Sequence, residues 1–174
     1  MTKPDVHIMN IVTLNGHEYI VDAGYAAPFL VPLPRDSKED FVIEQGEKKY
    51  LIKPQDENHR TKVEMYEQNE FRHSYIAKPE ARKIEDFKEP IKDSYSGKST
   101  FIHSLFLTRF YEDSTFVIFN LKSFEYSNNG TVVYDIKSRN ELVETVNTKF
   151  NIPVDIIESV LGEYKQLKEE LSVV

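Results

Sequence analysis

Residues 7–25 read HIMNIVTLNGHEYIVDAGY. Two runs rich in Ile and Val flank Asn15-Gly16. Asn-Gly is a strong hairpin signal, because a type I′ turn needs φ above zero at both central residues. Val6–Ala23 therefore reads as two antiparallel strands. With a two-residue loop, Leu14 pairs with His17, Val12 with Tyr19 and Met9 with Asp22. Paired residues share a face, and so do alternate residues along one strand. His7 lies on the face of Met9, and so on the face of Asp22, as a diagonal neighbour about 7–8 Å away between Cα atoms. A four-residue loop keeps this parity; a three-residue loop breaks it.

That face otherwise carries Met9, Ile11 and Ile20. A carboxylate among apolar side chains needs a partner, since burying it unpaired is costly. His7 is the candidate. An Asp that accepts from one imidazole nitrogen fixes the tautomer and leaves the other nitrogen as a base. This is two members of a catalytic triad, with the nucleophile missing. The bland alternative makes His7 a surface residue near the terminus and Asp22 a turn residue before Gly24.

Working outward, Gly24, Pro28, Pro32 and Pro34 make residues 24–37 loop or edge structure. A second hairpin is expected at Asp40–Glu44 and Lys48–Ile52, turning near Gln45-Gly46. Further strands are expected at Thr61–Tyr66 and Phe71–Ile76. Residues 79–93 should hold a short helix bounded by Pro79 and Pro90. Three strands follow, Phe101–Tyr111, Ser114–Leu121 and Thr131–Ile136, the last entered through Asn128-Asn129-Gly130. Ser138 with Glu141 forms a capping box for a helix carrying Leu142, Val143, Val146 and Phe150. Pro153 opens a second helix through about Leu171, with Ile156, Ile157, Val160, Leu161 and Tyr164 on its stripe. Strands first and helices last read as α+β with a barrel-like antiparallel sheet.

Composition bounds the function. The 174 residues carry 22 basic and 29 acidic side chains, net −7, which argues against nucleic acid as a partner. No apolar run approaches the ~18–20 residues that span a bilayer, and residues 1–14 do not read as a signal peptide, so no membrane partner and a cytoplasmic location are expected. Cysteine is absent, which removes disulfides, thiolate zinc ligands and thiolate catalysis from within the chain. His59, His73 and His103 show no metal-ligand spacing, and no metal is expected. Gly97-Lys98-Ser99-Thr100 mimics the end of a phosphate-binding loop, but Lys92 stands where the earlier glycine belongs. Phe87, Phe106, Phe110 and Phe124 read as core.

The run from His7 to Tyr25 resembles the His–Asp segment of arylamine N-acetyltransferases. In that family a His begins a strand, a short turn follows, and the second strand ends in Val-Asp-Val/Ala-Gly-Phe-Gly. The fifteen-residue step from His7 to Asp22 matches, as does the string Tyr-Ile-Val-Asp-Ala-Gly that ends at Gly24. Pro28…Pro32-Leu33, Ser99-Thr100-Phe101, the Gly130 turn and Ser138-x-x-Glu141 extend the likeness more loosely.

The resemblance implies a β-barrel domain at 1–95 bearing the His–Asp pair. An α/β lid with the two C-terminal helices follows at 96–174. His7 would be the catalytic base and Asp22 its orienter. Tyr25 would line the acceptor pocket, where the family has Phe. Ser99 and Thr100 would contact CoA, with acetyl-CoA as co-substrate and an arylamine or arylhydroxylamine as acceptor.

Two departures stand out. His7 is almost at the N-terminus, leaving no room for the helical domain that supplies the family's Cys. Ala26 replaces the glycine after the aromatic and crowds the backbone. Many Ser and Thr could stand in for the Cys, and no spacing singles one out. The expectation is a truncated chain, from a damaged or divided gene, that is inactive alone. The alternatives are a subunit of a two-chain acetyltransferase and a non-catalytic ligand-binding or interaction module. A homo-oligomer or a partner chain should cover the barrel face that a helical domain would otherwise cover.

Overall fold

The opening hairpin forms in the expected register. In this computed structural model, which describes residues 7–95 and 104–163, β1 (Asn10–Leu14) pairs with β2 (His17–Val21), Leu14 opposite His17 and Val12 opposite Tyr19. Asn15 and Gly16 have φ of 54° and 82°, as a type I′ turn requires. The ladder is shorter than the sequence suggested: it ends at Asn10↔Val21. His7–Met9 and Asp22 lie just outside it.

The chain divides into two compact units, Met1–Asp93 and Ser94–Val174. In the first, β1, β2 and the short β3 (Leu33–Pro34) form one antiparallel sheet. Pro34 sits on its edge, where a missing N–H does no harm. A second sheet runs β4 (Phe41–Gln45), β5 (Lys48–Ile52), β6 (Thr61–Glu67) and β7 (Glu70–Ala77) in order. The sheets share one core: Ile20 and Leu33 from the first, Ile52, Val63 and Ala77 from the second. The four larger side chains, Ile20, Leu33, Ile52 and Val63, each contribute about 1.5–3 kcal/mol on burial. Among the described residues no ladder joins the two sheets, so the barrel-like layer is a pair of facing sheets.

Arg35 lies buried beside this core. Its guanidinium donates to the Glu18 carboxylate and to the His59 carbonyl, while Gln55 Nε2 donates to the Arg35 carbonyl at 3.1 Å. β2, the β3 end and the loop after β5 are thereby tied together.

A 3-10 turn (Ile84–Phe87) runs into α1 (Lys88–Ser94). Pro90 does not bound this helix, as the sequence suggested, but sits in its first turn. There a proline costs no hydrogen bond, because the first N–H groups of a helix have no intrahelical partner.

The second unit is a meander, β8 (Phe106–Phe110), β9 (Ser114–Phe119), β10 (Lys122–Ser127) and β11 (Gly130–Asp135), in the order β11-β10-β9-β8. α2 (Arg139–Phe150) and α3 (Val154–Glu163) pack on one face. Their core joins Phe116 and Ile118 to Ile136, Leu142, Val146, Ile157 and Leu161.

Several sequence expectations change here. β10 was not expected. β8 begins at Phe106, and Phe106 is exposed rather than core. Ser138 Oγ accepts from Glu141 N at 3.1 Å, but the Glu141 carboxylate returns to Lys137 N, one residue before the cap. Ile156 and Val160 are exposed, so the buried stripe of α3 is Ile157 and Leu161. Tyr164 and the rest of the expected helix, like Ser99, Thr100 and His103, lie outside the described residues. No helix among the described residues is long and apolar enough to cross a membrane.

Candidate active site

Asp22 follows β2, and its side chain is 0% exposed. The inward parity of Ile20 continues one step past the strand and points the carboxylate into the first unit's core. Three donors meet it there. His7 Nε2 lies 2.9 Å from Oδ1 and 2.8 Å from Oδ2. The Gly24 N–H donates to Oδ1 at 3.1 Å. The Tyr75 hydroxyl donates to Oδ2 at 2.8 Å. Burial pushes the carboxyl group up. The hydrogen bonds from His7 and Tyr75, the His7 charge and the Gly24 N–H together outweigh burial and hold it below the usual carboxylate range.

His7 lies in the extended lead-in to β1 and is partly exposed. Because Nε2 faces the carboxylate, the neutral ring keeps its proton there and leaves the lone pair on Nδ1. Nδ1 has no hydrogen-bond partner among the described residues. Gly24 lies against the ring: a Cβ there would be in ordinary van der Waals contact, 3.4 Å from His7 Cε1 and 4.0 Å from Asp22 Oδ1.

Aromatic rings surround the pair. Tyr75 and Tyr25 centre 5.5 and 6.0 Å from the His7 ring and 4.7 Å from each other. Tyr25 stacks on Phe29 at 5.7 Å, and its hydroxyl lies 2.9 Å from His73 Nδ1. Burial, then the charge of Asp22, pushes the Tyr75 hydroxyl far above its ordinary range. Tyr25 moves the same way through burial, then Tyr50 and Asp22. Both phenols therefore stay neutral.

Of the residues singled out from sequence, His7, Asp22 and Tyr25 are thus brought together. Ser99 and Thr100, outside the described residues, are not located. Ala26, marked as a departure, adopts φ 55°, a left-handed conformation that glycine takes without strain. Tyr75 and Gly24 were not read as site residues. The available signal for Tyr75 was its strand parity: it pairs with buried Val63 and stands two residues from buried Ala77. Among the described residues no group of three or more His, Asp or Glu could hold a metal ion.

What the arrangement can do is clear from its parts. A buried anion holds an imidazole by one nitrogen and presents the other as a base, the layout that activates a thiol or hydroxyl placed against it.

The sequence model of the N-acetyltransferase family matches residues 1–160. No curated protein sequence matches the chain. Among solved structures, the arylamine N-acetyltransferase of Salmonella typhimurium superposes with TM-score 0.70 at 16% identity, over 86% of this chain and 55% of its own. That of Mycobacterium marinum, solved in complex with CoA, gives 0.74 at 19%, over 98% and 61%. That of M. tuberculosis gives 0.67 at 20%, over 90% and 61%. At such identities the likeness shows the fold, and the chain spans 55 to 61% of the length of these structures. By its family match over residues 1–160, the chain belongs to the arylamine N-acetyltransferase family.

Proposed function

We propose that this chain carries the base and the orienter for moving an acetyl group from acetyl-CoA, by way of a cysteine, to an arylamine or arylhydroxylamine. The observation that carries the reading is the His7–Asp22 contact at 2.8 Å, with Nδ1 unpartnered among the described residues. A cysteine thiol beside Nδ1 gives its proton to His7, and the sulfur attacks the thioester carbonyl. The C–S bond to CoA breaks, and the departing thiolate takes the proton. The amine nitrogen then attacks the new thioester and loses a proton through His7, and the cysteine thiol is restored. Asp22 stabilises the imidazolium that forms between these steps.

The remaining assignments follow the same reading. Tyr25, Phe29 and Tyr75 give an aromatic wall beside His7, which suits a planar acceptor. Ser99 and Thr100 are assigned to CoA. The pair-bearing domain is assigned to 1–95 and the lid to 96–174; the boundary between the two compact units, at Asp93/Ser94, supports this. A cytoplasmic location goes with acetyl-CoA as co-substrate.

The 174 residues hold no cysteine. On this reading the thiol belongs to polypeptide outside them, and the chain assayed alone is inactive. The outer face of the first hairpin supports a covering polypeptide, either a second copy or a partner: Val12, Leu14 and Val21 are 43%, 59% and 40% exposed there.

The test is acetyl-CoA consumption with an arylamine acceptor. The chain by itself should give no turnover above buffer. Addition of a Cys-bearing polypeptide encoded beside it should restore turnover that His7→Ala and Asp22→Ala each abolish. Turnover by the chain alone that survives His7→Ala would overturn the reading.

A further inference from the structure

β11 is the edge of its sheet, and it is unguarded. Natural edge strands carry proline, lysine or inward charges that discourage pairing with another chain. Here β3 has Pro34, β4 has Glu44, β7 has Arg72 and β8 has Arg109, while the five-residue β1 carries neither proline nor charge. β11 reads Gly-Thr-Val-Val-Tyr-Asp, with Val132, Val133 and Tyr134 exposed by 47%, 51% and 55%. Among the described residues no strand lies beyond it.

The ladder's phase fixes which groups face outward. β10 and β11 pair from Ser127↔Gly130 to Lys122↔Asp135. Just past them, the Ile136 N–H donates to the Leu121 carbonyl at 2.8 Å. Hydrogen-bonded pairs alternate along an antiparallel ladder. Gly130, Val132 and Tyr134 therefore bond inward to β10. Thr131, Val133 and Asp135 turn their N–H and C=O groups to the open edge.

We propose that β11 pairs antiparallel with β11 of a second copy of this chain, about a two-fold axis at Val133, making one eight-stranded sheet from two four-stranded ones. Directly opposed residues in an antiparallel ladder share a face. A two-fold axis normal to the sheet must then fall on a residue, not between two. At Val133 it sets all three outward residues against outward residues: Val133 against its own copy, and Thr131 against the second copy's Asp135, twice. Every outward N–H and C=O of the strand finds a partner. An axis on Val132 would leave Asp135 without an opposing strand residue. On the other face Val132 meets the second copy's Tyr134, a β-branched residue against an aromatic one, which is a favourable cross-strand pair. No like charges are opposed. In this register the segment is complementary to itself in side chains as well as in backbone. The inference rests on the geometry of the sheet and stands apart from the acetyl-transfer reading.

The absence of cysteine makes the test clean, because each introduced thiol reports alone. Val133→Cys places two thiols across a hydrogen-bonded pair about 5.5 Å apart between Cα atoms, within the span of a disulfide. Mild oxidation should convert most of this variant to a covalent dimer. Val132→Cys faces Tyr134 instead and should cross-link at under about one-tenth of that yield. The double variant Val132→Cys/Tyr134→Cys should recover it. Equal yields from Val133→Cys and Val132→Cys would mean random collision and overturn the proposal.

Sedimentation equilibrium up to about 500 µM, a range suited to a contact this small, should show the unmodified chain dimerising with concentration. Val133→Lys, which opposes two ammonium groups on the axis, should stay monomeric with an unchanged circular dichroism spectrum. Val133→Lys associating as tightly as the unmodified chain, or an unmodified chain that stays monomeric throughout, would overturn the proposal.

Discussion

Asp22 concentrates the first unit's electrostatics in one side chain. It is fully buried, yet three donors keep it ionised. Its folded value lies below the ordinary one, so it adds stability that is fully present above the unfolded value of about 3.9 and is lost as pH falls through the folded value. Tyr75→Phe removes one donor and keeps the ring. We expect the Asp22 carboxyl to move up, acid unfolding to begin at higher pH, and stability at neutral pH to fall by about 1.5–3 kcal/mol. NMR titration of Asp22 and urea midpoints measured from acid to neutral pH would check both; an Asp22 titration unchanged in Tyr75→Phe would refute the role assigned to that hydroxyl. Ala26 is strained at φ 55°. Ala26→Gly relieves about 1–2 kcal/mol and returns about 0.5–1 kcal/mol of chain entropy, so thermal unfolding should shift upward modestly. At this scale His7 and Asp22 were legible because strand parity is a local rule. Tyr75 was not, because it belongs to the facing sheet, and which residues of two sheets meet is decided by packing that no local pattern encodes.

Among the elements, the first hairpin and the capped α2 were readable from their turn and cap chemistry. β10 was not. Its helix-facing positions are Ser123 and Glu125, while Phe124 and Tyr126 take the other face. The alternation is therefore inverted relative to the core pattern a reader looks for. The turn before it, Asn120-Leu121, carries no glycine, although Asn120 adopts φ 53°. α1 was misjudged at Pro90, since a proline bounds a helix only when it falls beyond the first turn. Ser138 is a direct probe of α2. Ser138→Ala deletes the acceptor for Glu141 N and should cost about 1 kcal/mol, read as a lower urea midpoint at unchanged slope. A midpoint equal to the parent's would mean that the Glu141–Lys137 bond suffices to start the helix.

For the whole molecule, order and composition gave the α+β class and a barrel-like antiparallel first layer, but not which strands pair into which sheet. Two facing sheets and a closed barrel bury the same alternating residues, and only the pairing of particular strands tells them apart. Charge is the other property on this scale. The chain carries −7 at neutral pH and has a sequence pI near 5.3. With Val12, Leu14, Val21 and the β11 edge exposed, loss of net repulsion should favour association. Light scattering across pH 4.5–8 should therefore show the greatest particle size at about pH 5.3 and the smallest near neutrality, with no minimum in solubility elsewhere.

The three donors on Asp22 have one more consequence. Gly24 and Tyr75 fix the carboxylate, and the carboxylate in turn sets the tautomer and the direction of His7 with no nucleophile present. On the proposed acetyl-transfer reading, a thiol fixed beside Nδ1 would act at an effective molarity of about 10⁵ M or more, whereas a thiol free in solution meets the same base only at its bulk concentration. On that same reading small soluble thiols should be poor substitutes, because the base is already set and the rate then depends on how rigidly the thiol is held against it.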